Sequence, residues 1–348
     1  MVEQILSFRI KDVIAETKDA ASFVLEYING TPVPFKAGQF LTLLFDRNGH
    51  EVRRSYSISS TPGSEENLKI TVKRVHNGEI SRHLLDHFKE GDIIKALAPS
   101  GMFVMDKHKQ EQDVFLFAAG SGITPVISLL KDILYNTDVL SLVLFYQNHS
   151  ESETIFRNEL QQLAVSFPER FKWFDFVSNP IHADYAMRRV NNDTIEQSVP
   201  ELMRFNINDA LFFICGPLSF MRMCQYTLML MGFSQQQIRK EYFVIDAPPA
   251  PPLIINALPR NVVLKNVAPP VAFVSTYPQT ILQSALEHGI ALPYSCRGGK
   301  CSTCVARCIS GEVIMSMNDV LTDEDLKNGL ILTCVGYAAT DIVLEYKK

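Results

Sequence analysis

Short runs of alternating character fill the first hundred residues. Over Leu68–Val75, Ile70 and Val72 alternate with polar neighbours, and Gln39–Phe45 is apolar with looser alternation; both patterns predict strands. Turn signals at Pro62-Gly63, Asn77-Gly78 and Pro99-Ser100-Gly101 separate such runs. One helix is predicted over Ser81–Lys89, with Gly91 just past its end. Residues 1–106 therefore read as a small antiparallel β-barrel with one helix.

The pattern changes near residue 107. Apolar runs at Val114–Ala118, Leu142–Tyr146, Phe171–Val177 and Ala210–Ile214 alternate with helical stretches at Thr124–Tyr135, Thr154–Val165 and Pro217–Met231. Such alternation predicts βαβ units and a parallel sheet covered on both faces, here over 107–245. The stretch 246–252, DAPPAPP, predicts a stiff, extended linker. Beyond it, 253–348 shows short strands, a helix near Gln279–His288 and a cysteine-rich loop, a small α+β unit. The fold class is thus multidomain.

Composition narrows the function. The chain has 348 residues, 47% hydrophobic and 20% charged, enough for several cores. A net charge of −5 with both signs interspersed argues against a nucleic-acid partner. Glu3, Arg9 and Lys11 interrupt the start, and Gly120, Ser121, Gly122, Thr124 and Pro125 break the longest apolar run, so neither an export signal nor a membrane span is expected. Five of the seven cysteines fall in the last third, a pattern of metal ligation in a reducing cytoplasm.

Those cysteines carry the sharpest signal. Cys296-x4-Cys301-x2-Cys304 is followed, after twenty-nine residues, by Cys334, the spacing of a plant-type [2Fe–2S] centre. Gly298 and Gly299 permit close backbone approach, and their amides can reach cluster sulfur. Structural zinc is the competing ligand reading, but it prefers paired C-x2-C knuckles and only Cys301/Cys304 form one. Cys308 is read as a strand residue rather than a ligand. The run from Pro293 through Cys304 and on to Gly311-Glu312-Val313 resembles the plant-type ferredoxin domain.

Two elements point to a flavin. Arg54-Ser55-Tyr56-Ser57 ends a predicted strand: a guanidinium can hold a pyrophosphate, a tyrosine can lie on a flat ring, and a serine can reach a ring nitrogen. Lys73 and then Gly78-Glu79-Ile80-Ser81 lead into the predicted helix, whose N-terminus is an anion site. Together they resemble the flavin domain of the ferredoxin–NADP reductase superfamily. The general resemblance of the segment, and no single residue, favours FAD over FMN, with Arg54 and Ser81 on its phosphates and Tyr56 and Ser57 at the flavin. It also implies that Val72, Lys73, Gly78 and Ile80 line the site.

Gly120-Ser121-Gly122-Ile123-Thr124-Pro125 follows a strand and opens a helix. Pro125 stands where the dinucleotide fingerprint has its third glycine, and the loop instead resembles the G-x-G-x-T-P element of the same superfamily. Cys215-Gly216-Pro217 ends the last long strand of the segment. By the resemblance Cys215 lies beside the nicotinamide, and Glu241, in Glu241-Tyr242-Phe243, joins Ser57 and Cys215 at the reacting centre. The strand Leu142–Tyr146 leads to Gln147-Asn148-His149-Ser150 without an arginine at that place, so NADH and NADPH both stay open, with Arg157 or Arg188 as possible substitutes. His83 and His87, at i and i+4, are read as a solvated helix face, and Met221–Met231 as a helix packed on the sheet.

Across nearly its whole length the chain is similar to reductase components of bacterial multicomponent oxygenases with a C-terminal ferredoxin, most of all to reductase subunits of phenylacetyl-CoA epoxidases. This implies an enzyme that passes electrons from NAD(P)H to FAD, to the [2Fe–2S] cluster and on to a protein acceptor, an oxygenase component. A reductase for another oxygenase, a desaturase or a hybrid-cluster protein is the second reading. A redox sensor without turnover is the third.

Overall fold

The computed structural model describes residues 3–30, 32–105, 108, 110–182, 188–243, 250–253, 258–265 and 271–346. Residues 246–249 of the expected linker lie outside them.

Six strands make the first sheet: β1 (Ile5–Thr17), β2 (Ala20–Tyr27), β3 (Phe40–Arg47), β4 (His50–Ser57), β5 (Leu68–Lys73) and, after helix α1 (Glu79–His87), β6 (Ile93–Leu97). Their order is β4-β3-β6-β1-β2-β5, every pairing antiparallel. A bridge between Ile58, just past β4, and Ile70 in β5 joins the two edges and closes the barrel. Inward side chains such as Phe8, Ile10, Phe23, Leu41, Leu43 and Ile70 fill it. The helix begins two residues earlier than its pattern predicts, because Gly78 takes the N-cap position.

The second sheet is parallel, ordered β11-β10-β7-β8-β9. It is built from β7 (Asp113–Ala119), α2 (Ile123–Asn136), β8 (Ser141–Asn148), α3 (Arg157–Ser166), β9 (Phe171–Val177), α4 (Asn192–Leu202), β10 (Ala210–Cys215), α5 (Leu218–Leu230) and β11 (Ile238–Glu241). Apolar clusters cover both faces, one under α2 and α3 and one under α4 and α5, as a buried parallel sheet requires. Of α5, Met221, Cys224 and Leu228 face the sheet. Helix α3 starts three residues later than its pattern predicts. Residues Glu151–Glu153 form a separate 3-10 turn, and Phe156 sits left-handed at φ 61°.

The third unit holds β12 (Arg260–Leu264), β13 (Val271–Ser275), α6 (Ile281–Glu287), β14 (Val305–Ser310), β15 (Val313–Met315), α7 (Asp323–Lys327), β16 (Leu330–Leu332), β17 (Gly336–Ala338) and β18 (Ile342–Glu345). Its mixed five-stranded sheet runs β13-β12-β18-β14-β16, with β15 and β17 paired beside it. Capping boxes at Thr280/Gln283 and Thr322/Asp325 start its two helices. Among the described residues no helix is long and apolar enough to cross a membrane.

Buried polar contacts join the first two units. Ser128 donates to the Ser60 carbonyl at 2.6 Å, and Lys131 pairs with Glu65 at 2.6 Å and Glu159 at 2.9 Å.

Candidate active site at the meeting of three units

A cleft of about 900 Å³ opens where the three units meet. Its walls come from β4 (Arg54–Ser57), the entrance to α1 (Gly78–Ser81), the last strand of the parallel sheet (Ile238–Phe243) and the cysteine loop (Ser295, Cys296, Cys301). A volume at the upper end of the usual range for ligand pockets suits a dinucleotide-sized cofactor.

The barrel supplies the first wall. Arg54 is exposed into the cleft at the C-terminal half of β4, while Tyr56 is half-buried and its phenol pKa is pushed up by burial. At the entrance to α1 no side chain caps the helix, so the first-turn amides are left to a ligand. Gly78 is required by space: a Cβ there would sit 2.6 Å from Ser81 Oγ and 2.7 Å from Val75 Cβ. Ser81 Oγ accepts the Val75 N–H at 3.1 Å, which fixes the turn. Lys73 lines the cleft and pairs with Glu153 at 3.4 Å. Val72 does not line it. Strand alternation turns Thr71 and Lys73 to the cleft and sends the Val72 side chain, fully buried, into the barrel core.

The parallel sheet supplies the second wall. Its first strand, β7, lies between β10 and β8, so chain order reverses between β7 and β10, where open α/β sheets place ligands. There the Gly120–Pro125 loop meets Cys215-Gly216-Pro217. A Cβ on Gly122 would overlap the Cys215 carbonyl, and one on Gly216 would crowd the Ala119 and Phe220 side chains. The loop is pinned by Tyr146 donating to the Gly120 carbonyl at 3.1 Å and Thr124 to that of Ser121 at 3.0 Å. Thr124 and Ser121 reach the cleft; Pro125 is buried in the first turn of α2.

Three predicted residues converge. Strand register places Cys215 opposite Glu241, and Ser57 donates to Glu241 Oε1 at 3.2 Å from across the domain boundary. Among the described residues the other carboxylate oxygen, Oε2, is buried without a partner. Burial raises the Glu241 pKa to about 8, with the Ser57 hydrogen bond acting in the opposite sense. Burial, and then the Glu241 charge, push the Cys215 thiol well above its ordinary range, so it is a neutral thiol.

In the cysteine loop the Cys296 sulfur contacts those of Cys301 and Cys334, and Cys334 contacts that of Cys304. The Gly298 N–H donates to Cys296 Sγ at 3.3 Å, as does that of Lys300, and the Cys296 N–H donates to Cys301 Sγ at 3.4 Å. Arg297, Gly299 and Ser302 have φ of 54°, 71° and 59°, so the loop curls its amides inward. Four convergent sulfurs ringed by amides are the donor set of a thiolate-held iron–sulfur centre. Cys308 lies on β14, away from the quartet.

Arg157 is engaged by Asp175 at 2.9 Å, and the Arg188 side chain is exposed. The His83 and His87 rings lie 5.0 Å apart on α1, tilted by 40°, and among the described residues no third ligand joins them. Sequence reasoning missed Arg53, Ser55, Lys300 and the Asn318–Asp323 stretch on the cleft wall.

Three family models match in chain order: an oxidoreductase FAD-binding domain at 7–105, an oxidoreductase NAD-binding domain at 116–226 and a 2Fe-2S iron-sulfur cluster binding domain at 268–339. The chain is 32% identical to the ferredoxin reductase component of 3-ketosteroid-9-alpha-monooxygenase from Mycolicibacterium smegmatis, over 97% of this chain and 96% of that one. It is 28% identical to one of the subunits of 1,2-phenylacetyl-CoA epoxidase from Escherichia coli, over 98% and 97%. Among solved structures, phthalate dioxygenase reductase superposes with a TM-score of 0.59 and 25% identity, over 98% of both chains.

Proposed function

This chain belongs to the family of three-domain flavin and [2Fe–2S] reductase components of oxygenases, and on that premise we propose that the cleft is where hydride is turned into single electrons for one such oxygenase. The observation that carries the proposal is the shared wall: Ser57, Glu241 and Cys296 all line one cavity. FAD, if bound there, would supply the exchange between two-electron hydride chemistry and one-electron transfer, with Ser57 and Glu241 at its edge and Cys296 on the same wall.

The chain's own residues do the rest. In this reading Arg54, the Gly78–Ser81 amides and Lys73 neutralise and place the FAD phosphates, and Tyr56 lies on the ring. The loop of Gly120, Gly122, Thr124 and Pro125, with Cys215, Gly216 and Pro217, seats the nicotinamide nucleotide at the point where strand order reverses. Ser57 and Glu241 hold a proton at the edge of the reacting centre, since Glu241 is neutral up to about pH 8. Cys296, Cys301, Cys304 and Cys334 hold the cluster, and the inward amides of their loop favour its reduced, more negative state. The working units are 1–106, 107–245 and 253–348, joined through 246–252.

The acceptor we propose is an oxygenase component, with phenylacetyl-CoA epoxidase the first candidate. The compartment we propose is a reducing cytoplasm, which suits a chain whose cysteines form no disulfide and four of which are read as cluster ligands. Reconstitution tests the acceptor: loaded protein and NAD(P)H should drive epoxidation of phenylacetyl-CoA by the cognate oxygenase. Rapid cytochrome c reduction without any epoxidation would leave the reductase reading standing and remove that acceptor. No NAD(P)H-dependent reduction in fully loaded protein would remove both.

A further inference from the structure

We propose that Arg53 and Ser55 are positioning residues that dock the cluster loop onto the flavin-bearing strand and thereby govern electron passage from flavin to cluster. The inference rests on the reading of the cleft given above and adds Arg53, which lies outside the flavin motif, and Ser55, to which that motif gives no role.

The argument begins with strand geometry. Alternate residues of a β-strand point to opposite faces. On β4, Arg54 and Tyr56 take one face and Arg53 and Ser55 the other. The second pair meets the two residues that immediately precede Cys296. The Arg53 guanidinium donates to the Tyr294 carbonyl at 3.1 Å and lies 3.8 Å over the Tyr294 ring. The Arg297 guanidinium covers the same ring at 4.3 Å, so Tyr294 is gripped between one cation from the barrel and one from the loop. Ser55 Oγ lies 2.7 Å from Ser295 Oγ and 3.0 Å from the buried Thr42 Oγ1, which makes a row of three hydroxyls.

These groups are held rigidly. Arg53 forms ion pairs with Glu3 and Glu51, and the Arg53 and Glu3 side chains are only 9% and 7% exposed. A guanidinium so fixed gives directional contacts, which set register between two surfaces. The Ser55–Ser295 hydrogen bond therefore sits one residue from Tyr56 on the barrel side and one residue from Cys296 on the loop side. Loss of that bond lets the loop and the flavin wall separate without touching either cofactor's ligands. The step it serves is a plain transfer: one electron leaves the reduced flavin, supplied by NAD(P)H, and one cluster iron goes from ferric to ferrous, with no bond made or broken at Arg53 or Ser55.

The test uses the full chain loaded with FAD and cluster, comparing wild type, Ser55→Ala, Ser55→Thr and the double variant Arg53→Met/Glu3→Gln, which avoids stranding a buried Glu3 charge. In anaerobic stopped flow, flavin reduction by NAD(P)H should stay within about twofold of wild type. Cluster reduction should slow about fivefold to tenfold in Ser55→Ala, the population effect of one lost hydrogen bond, and recover in Ser55→Thr. Hydrogen–deuterium exchange over 293–296 should speed up in Ser55→Ala and in the double variant. Wild-type cluster kinetics and wild-type exchange in both would overturn the proposal. If wild-type flavin is not reduced by NAD(P)H at all, the functional reading fails separately, and unchanged exchange over 293–296 then overturns the docking role by itself.

Discussion

Ser57 and Glu241 come from different units, yet the Ser57 hydroxyl donates to the Glu241 carboxylate at 3.2 Å inside the cleft wall. The contact couples the end of β4 to the end of β11, so closing the cleft and placing a buried acid are one structural event. The second carboxylate oxygen has no partner among the described residues, and burial lifts the pKa to about 8. At neutral pH the pair is thus a proton-bearing group and not a salt-bridge site.

Replacing Glu241 with Gln tests that protonation state. The folded pKa is raised above the unfolded value, so the folded state keeps a proton that the unfolded state has lost. Stability therefore falls as pH rises from about 4.5 to about 8, and the penalty is complete above that. The flavin-free Gln variant should melt roughly 5 °C or more above wild type at pH 9 and close to it at pH 4.5. An equal gain at both pH values in thermal melts would show that Glu241 is not a raised acid. In loaded protein, the same variant should lose any inflection near pH 8 in the rate of flavin reduction.

Gly122→Ala places a Cβ against the Cys215 carbonyl, a backbone atom that cannot swing aside. The expected cost is about 1–3 kcal/mol of stability, with the loop displaced from the end of β10. Thermal denaturation should show the loss, and the KM for NAD(P)H should rise more than the KM for any protein acceptor. A wild-type melting temperature would mean that β7 and β10 are not packed this closely.

Cys334→Ser removes the proposed cluster ligand most distant in sequence. Visible absorbance of the [2Fe–2S] centre should vanish while NAD(P)H still bleaches the flavin at its normal rate. A normal reduced-cluster EPR signal in this variant would refute the ligand set.

Lys131 is buried at the seam between barrel and parallel sheet, held by Glu65 and Glu159. Lys131→Met should destabilise by about 1.5–3 kcal/mol, because Glu65 and Glu159, each about a third exposed, lose the buried cation between them while Glu65 keeps Lys69. Adding Glu65→Gln and Glu159→Gln should restore much of it, measured by urea denaturation. The Glu65 pKa is lowered by Lys131 and Lys69 against the opposing effect of burial, so its contribution is present above the unfolded carboxylate pKa. That contribution fades as acid titrates Glu65 through its lowered value. A Lys131→Met variant as stable as wild type at pH 7 would contradict the latch.

How much of this was legible beforehand depended on sequence separation. The cysteine spacing, Arg54–Ser57 and Gly120–Pro125 are local signals, since a loop or one strand end sets the geometry within a few residues. Helix α4 was not legible: it is largely polar and carries Pro200 inside, which weakens the periodic pattern. The Arg53–Tyr294 and Lys131–Glu65 contacts join residues far apart in the chain, and no short window contains both partners. Val72 shows the reverse case: the resemblance implied that it lines the flavin site, whereas it shares with Ile70 the face of β5 that fills the barrel core.

The cleft wall has a practical meaning for exchanging parts between reductases. Ser295, Cys296, Cys301 and Asn318–Asp323 belong to the iron–sulfur unit yet complete the chamber formed by the other two. A chimera that imports a foreign ferredoxin module therefore imports one side of this chamber with it. Compatibility of such hybrids should follow the match at these few positions rather than overall identity of the transplanted unit.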